Sequence, residues 1–157
     1  MRLLTTTLVI FFLLISTTKA DDFNCLVEAL YHEARSESFI GMLSVANVIL
    51  TRKESSNFPN TICKVVHQGK YWKGNPIKDK CHFSYWCDGR PERFTDMEGL
   101  IKSINVAEMS LNGIQIKQTV GATHYHASYV TPGWASDPNF KSLGQIGTHV
   151  FYIDMRE

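Results

Sequence analysis

The chain has 157 residues, with 16 basic and 15 acidic side chains for a net charge of +1, and 44% of its residues are hydrophobic. That length supports one hydrophobic core and is too short for two domains of ordinary size. Near-neutral charge excludes nucleic acid as the main partner, because neutralising phosphates requires a basic surface.

Met1-Arg2 gives a short positive start, and the run from Leu3 to Ile15 is mostly apolar. Thr18 and Ala20 satisfy the small-residue rule for cleavage, so residues 1–20 read as a signal peptide and 21–157 as a single mature domain. The apolar core is short of the roughly 20 residues a spanning helix needs. An exported protein follows, periplasmic or secreted, with no membrane association after cleavage. Cleavage removes Arg2 and Lys19, leaving 14 basic against 15 acidic residues, a charge of −1. Four cysteines remain, Cys25, Cys63, Cys81 and Cys87. An even count in an oxidising compartment reads as two disulfides. A local Cys81–Cys87 bridge is plausible across a short aromatic loop and would leave Cys25 for Cys63, although sequence alone allows three connectivities. No Cys-x-x-Cys spacing supports a zinc site.

Asn24 is placed to cap a helix from Cys25 to Arg35. On it Leu26, Ala29, Leu30 and Glu33 fall on one face, at i, i+3, i+4 and i+7. A carboxylate at the end of an apolar stripe loses solvation, which raises its pKa and lets it donate a proton near neutral pH. A plainer reading pairs Glu33 with Arg35 or leaves it solvated. After a break at Ser36-Glu37-Ser38, Met42 to Arg52 is apolar on most sides and predicts a buried helix. Thr61 to Gln68 predicts a short helix, and Gly69 to Lys80 an exposed loop. Cys81 to Gly89 packs Phe83, Tyr85 and Trp86 between cysteines and closes on an Asp-Gly turn. Thr95 with Glu98 suggests a capping box opening a helix whose Leu100, Ile104, Ala107 and Leu111 share a face, and Asn112-Gly113 ends it. Gly121 to Ala127 reads as extended, Val130 to Trp134 as a turn, and Ile146 to Ile153 as one strand. Helices first and strands later predict an α+β domain, a helical core with a small antiparallel sheet.

Several segments together resemble the bacterial cell wall hydrolase family that includes the spore cortex-lytic enzymes of the SleB type. They are His32-Glu33-Ala34-Arg35-Ser36-Glu37 with Gly41 and the Ala46 to Arg52 helix, Phe58 to Val66, Phe83 to Gly89, Gly121 to His126, and Ile146 to Tyr152. The resemblance runs from about Cys25 to Ile153. It implies a lysozyme-like or lytic-transglycosylase-like domain acting on peptidoglycan glycan strands. It also implies that Glu33 is the catalytic acid/base, with no cofactor and no metal, and nothing demands more than a monomer. Ser36 stands where a small residue often follows the Arg. The expected cleavage lies between N-acetylmuramic acid and N-acetylglucosamine. Ser84, Trp86, Asp88, Thr123, His124, Tyr125 and Trp134 are the expected substrate-binding residues. Trp72, Phe83 and Tyr85 complete the aromatics weighed for a glycan groove, with Phe83 assigned to the core.

Glycoside cleavage needs a protonated acid at the leaving oxygen and stabilisation of an oxocarbenium-like centre. A second carboxylate would come from Asp88, or more distantly Asp137, although Asp-Gly is turn chemistry in its own right. Two rival readings remain. His124 and His126 point to one face of a strand, and with His149 they would hold zinc for an amidase. A non-catalytic secreted glycan-binding module would use the aromatics without Glu33.

Overall fold

The computed structural model describes residues 3–156, with side chains from residue 19 onward. Met1, Arg2 and the side chains of residues 3–18, which form most of the expected signal peptide, lie outside the described residues. Helix α1 spans Leu3–Ala34 and α2 spans Phe39–Glu54. Helix α3 is Ile62–Val66, and strands β1 Gly69–Trp72 and β2 Asn75–Cys81 follow. A 3-10 turn at Ser84–Cys87 leads to α4, Met97–Leu111. Strands β3 His124–Ala127, β4 Phe140–Ile146 and β5 His149–Asp154 end the domain. The architecture is α+β, four helices beside a two-stranded and a three-stranded antiparallel sheet. Among the described residues no helix is long and apolar enough to cross a membrane.

The expected apolar stripe is real: Leu26, Ala29 and Leu30 are fully buried. Asn24, however, caps nothing, because α1 runs through it without a break. Helix α2 is the centre of the core, with every residue from Gly41 to Ile49 buried. Its buried Ser44 hydroxyl and Asn47 amide nitrogen are bonded locally or across the fold, whereas Asn47 Oδ1 has no hydrogen-bond partner among the described residues. Ser44 Oγ donates to the Ile40 carbonyl at 2.8 Å, and Asn47 Nδ2 donates to Thr119 Oγ1 at 2.9 Å. Ser38 caps the helix by accepting from the Gly41 N–H at 3.1 Å. Two disulfides join Cys25 to Cys63 and Cys81 to Cys87, the first tying α1 to α3.

Helix α4 departs from expectation at its start and on its face. Asp96, not Thr95, is the N-cap, accepting from the Gly99 N–H at 3.1 Å. The Thr95 and Asp96 N–H groups both donate to the Tyr31 hydroxyl at 2.8 Å, which sets where the helix begins. The buried face is Gly99, Ser103, Val106, Ala107 and Ser110, while Ile104 and Leu111 point to solvent. Small residues win this face because α4 lies close against α1: a Cβ on Gly99 would sit 3.1 Å from Arg35 Cβ.

Two further corrections concern strands. The expected loop from Gly69 to Lys80 is a hairpin, with Tyr71 opposite Pro76 and Trp72 opposite Asn75. Its turn uses Lys73 and Gly74 at φ 49° and 82°, the left-handed geometry of a tight hairpin. The expected single strand from Ile146 to Ile153 is two strands, broken by a turn at Gly147-Thr148. In the larger sheet β5 lies centrally, between β3 and β4.

Candidate active site

A cleft of about 490 Å³ opens between the end of α1, the 3-10 turn and the β3–β5 face. Glu33, His32, Ser84, Tyr85, Asp88, Arg90, Glu92, Tyr125 and His149 are among its lining residues. Glu33 gets there because its stripe on α1 is turned inward and the helix stops one residue later. A tight turn then carries the chain into α2, with the Glu37 N–H donating to the Ala34 carbonyl at 3.0 Å.

Glu33 is partly buried on the cleft wall. Tyr125 Oη donates to its Oε2 at 2.9 Å. Desolvation is the dominant influence on Glu33 and pushes its carboxyl above the usual range. The Tyr125 hydroxyl, the Tyr85 backbone N–H and the Arg52 guanidinium pull the other way without reversing it. Burial, reinforced by Glu33 itself, raises the Tyr125 phenol well above its ordinary value. Tyr125 is therefore a neutral donor at any pH the protein meets.

Glu37 supports this arrangement from behind. It is buried, and both its oxygens accept from the Thr148 N–H at 3.2 Å, with the Thr148 hydroxyl donating to Oε1 as well. Its Oε1 lies 3.5 Å from His149 Nδ1. Burial keeps the His149 imidazole below its usual pKa, against the pull of Glu37. The His149 ring meets the Tyr125 ring edge-on at 5.0 Å. Contacts thus run from Glu37 through His149 and Tyr125 to Glu33. Lys102 Nζ braces the same corner, donating to the carbonyls of Arg35 at 2.6 Å and Glu37 at 2.8 Å.

Of the expected site residues, the fold brings Glu33, Ser84, Asp88 and Tyr125 to the cleft. Asp88 is held by its own turn, its Oδ1 accepting from the Arg90 N–H at 2.7 Å. Thr123, His124 and Trp134 do not reach the cleft. Strand alternation explains it: Tyr125 pairs with Phe151 on the inner face of the sheet, so His124 and His126 point outward. There Trp134 packs against His124 and His126, with ring centroids 5.3 and 5.7 Å away. Thr123 is buried, its carbonyl accepting from Arg52 Nε at 2.6 Å. Burial foremost, and then Arg52, push the His124 imidazole down to about 4. Trp86 is also outside the cleft. It stacks on His67 at 3.5 Å and donates through Nε1 to the Tyr71 hydroxyl at 2.9 Å. Phe83 is core, as expected. The three-histidine zinc set is not assembled, because His149 shares the Tyr125 face of the sheet while His124 and His126 occupy the other.

Sequence reading missed Glu37, His149 as a neighbour of Tyr125, and Arg90 and Glu92 on the cleft rim. No short-range signal reveals them, because Glu37 meets Thr148 and the Gly147 turn across 111 positions of chain.

Comparison with known proteins covers most of the chain. Residues 36–152 match the cell wall hydrolase family, and Glu33 lies just ahead of that span. A spore cortex-lytic enzyme from Halalkalibacterium halodurans is 29% identical over 137 residues, covering 83% of this chain and 34% of the relative. Another from Oceanobacillus iheyensis is 27% identical over 132 residues, covering 83% of this chain and 41% of the relative. The chain therefore spans well under half the length of these curated relatives. Among solved structures, the catalytic domain of SleB from Bacillus cereus has a TM-score of 0.58 at 24% identity, covering 85% of this chain and 90% of that one. The catalytic domain of the germination-specific lytic transglycosylase SleB from Bacillus anthracis has a TM-score of 0.60 at 24% identity, covering 83% and 93%. At that identity these structures establish a shared fold.

Proposed function

This chain belongs to the cell wall hydrolase family, and on that premise we propose that it cleaves peptidoglycan glycan strands between N-acetylmuramic acid and N-acetylglucosamine. Glu33 serves as the single acid/base of a lytic transglycosylase acting outside the cytoplasm, as a monomer on an exported chain. One observation carries the reading: the Glu33 carboxyl, raised by desolvation, lines an open cleft with Tyr125 fixing one of its oxygens.

Because Tyr125 donates to Oε2, the proton of Glu33 resides on the other oxygen. That oxygen protonates the glycosidic oxygen as the bond from the muramoyl anomeric carbon breaks. The resulting carboxylate then takes the proton from the muramoyl sugar's own hydroxyl as that oxygen attacks the same carbon. An anhydro-muramoyl end forms, Glu33 regains its proton, and no water is consumed. Asp88 Oδ1 accepts from the Arg90 N–H of its own turn, and on this route the substrate's own hydroxyl takes the place of a second carboxylate nucleophile.

The test is Glu33→Gln on purified peptidoglycan, followed by mass spectrometry of the released ends. Loss of turnover by about a thousand-fold or more is expected, within the range general acid/base groups supply, with circular dichroism unchanged. Wild-type products should carry anhydro ends, one water lighter than reducing ends. A Glu33→Gln protein retaining a tenth of the rate refutes the assignment of Glu33. Reducing ends make the enzyme a glycosidase, freed peptide stems make it an amidase, and no release at all leaves a binding module.

A further inference from the structure

The β1–β2 hairpin has two unlike faces. On the inner one Tyr71 is fixed to the domain, its hydroxyl donating to the His67 carbonyl at 2.7 Å and accepting from Trp86 Nε1 at 2.9 Å. The Cys81–Cys87 disulfide joins the end of β2 to the 3-10 turn carrying Trp86. That turn presents Ser84 and Tyr85 to the cleft and Trp86 to the hairpin. The hairpin is thus a stiff extension of the cleft wall.

Among the described residues, nothing packed on the outer face explains its composition. Trp72 is 70% exposed and shares its face with Asn75 and, two residues on, Ile77. Lys73 Nζ stands 6.0 Å from the Trp72 ring centroid. Lys70, Lys73, Lys78 and Lys80 are all exposed around the hairpin, Lys78 on the face opposite Ile77 with its methylenes toward Gly89, and with Asp79 they give the hairpin a charge of +3 in a chain whose total is +1. A flat indole left in water suits the C–H face of a sugar ring, and clustered ammonium groups suit carboxylates.

We propose that this hairpin is an accessory docking surface for the peptide-bearing glycan strand of peptidoglycan. Trp72 covers a sugar ring and the four lysines receive carboxylates of the peptide stems. The proposal rests on peptidoglycan being the substrate, and it adds a second point of attachment along the same polymer, joined to the cleft through the 3-10 turn at Ser84–Cys87.

Cosedimentation with insoluble peptidoglycan tests it, using Glu33→Gln protein that leaves the polymer intact. Three forms are compared: the hairpin unaltered, Trp72→Ala, and Lys70, Lys73, Lys78 and Lys80 all changed to Gln. Each substitution should weaken retention about ten-fold. The lysine variant should also lose its sensitivity to salt, and on polymer stripped of peptide stems it should bind no worse than its parent. Equal retention by all three forms overturns the proposal. So does binding to anionic phospholipid vesicles that Trp72→Ala abolishes while peptidoglycan retention stands, which would assign the face to a lipid surface. Sedimentation without polymer that the substitutions abolish assigns it to a second copy of the chain and likewise overturns it. Soluble fragments in the same tubes report on Glu33 separately, so failure of the acid/base assignment is not confused with failure of the hairpin.

Discussion

Gly147→Ala is the sharpest probe of how the cleft is supported. Gly147 sits in the β4–β5 turn at φ 58°, a conformation that costs an alanine about 1 kcal/mol. A Cβ there would overlap Glu37 Oε2 and lie 2.9 Å from its Cδ. Glu37 cannot move aside easily, because a Cβ on Gly41 would already be 2.8 Å from the same oxygen and the carboxylate is bound by Thr148. Expelling it forfeits hydrogen bonds to a charged acceptor, about 1.5–3 kcal/mol each. With shared relaxation the total comes to about 3–5 kcal/mol, or a fall in Tm of about 10 °C for a domain this size. Thermal and urea unfolding measure it. Gly74→Ala and Gly113→Ala are the controls: their φ values are 82° and 88°, but no atom lies within 4 Å of the added carbon, so each should lose only about 1 kcal/mol. In a Glu37→Ala background the Gly147→Ala penalty should shrink to that same value. If Gly147→Ala costs no more than Gly113→Ala, the packing of Glu37 against this turn is not what holds the corner.

Three further perturbations test the carboxyl and the two disulfides. Tyr125→Phe removes the hydroxyl that stabilises ionised Glu33, so the carboxyl keeps its proton to higher pH. The falling basic limb of the pH–rate profile should therefore move upward, by about one to two units if the lost bond is worth 1.5–3 kcal/mol. An unmoved or downward-shifted limb would show that Tyr125 does not tune Glu33. Replacing Cys25 and Cys63 with Ser opens a link across 38 residues, for which loop-closure entropy predicts a loss of about 4 kcal/mol. The Cys81 and Cys87 pair, separated by six residues, should lose about 2 kcal/mol. Equal losses in urea unfolding would contradict the loop-length account.

The elements read correctly were those whose signal is local. Leu26, Ala29 and Leu30 repeat at helical spacing, so the apolar stripe was legible, while for Glu33 at its end spacing left both an inward and a solvated reading open. The run from Met42 to Arg52 is apolar on most sides, and only a helix at the centre of a core can bury such a segment. The strand boundary at Gly147-Thr148 was not legible, because Ile146 to Ile153 has the apolar character of one continuous strand. The face of α4 was misread for a related reason. Periodicity placed Ala107 correctly but favours Ile104 and Leu111 beside it, whereas close packing against α1 selects Gly99, Ser103 and Val106, and that contact is invisible one helix at a time.

Sequence by itself determined the α+β class and the family likeness, since each rests on residue type and short-range spacing, and it offered Glu33 as a carboxyl at the end of an apolar stripe without deciding its exposure. Tertiary structure decided which neighbours act on that carboxyl. Tyr125 reaches Glu33 across 92 positions and Glu37 reaches Thr148 across 111, and Thr123, His124 and Trp134 are turned away from the cleft. A strand's alternation states that its side chains take two faces. Only the packing of the sheet against α1 and α2 determines which of them faces the cleft.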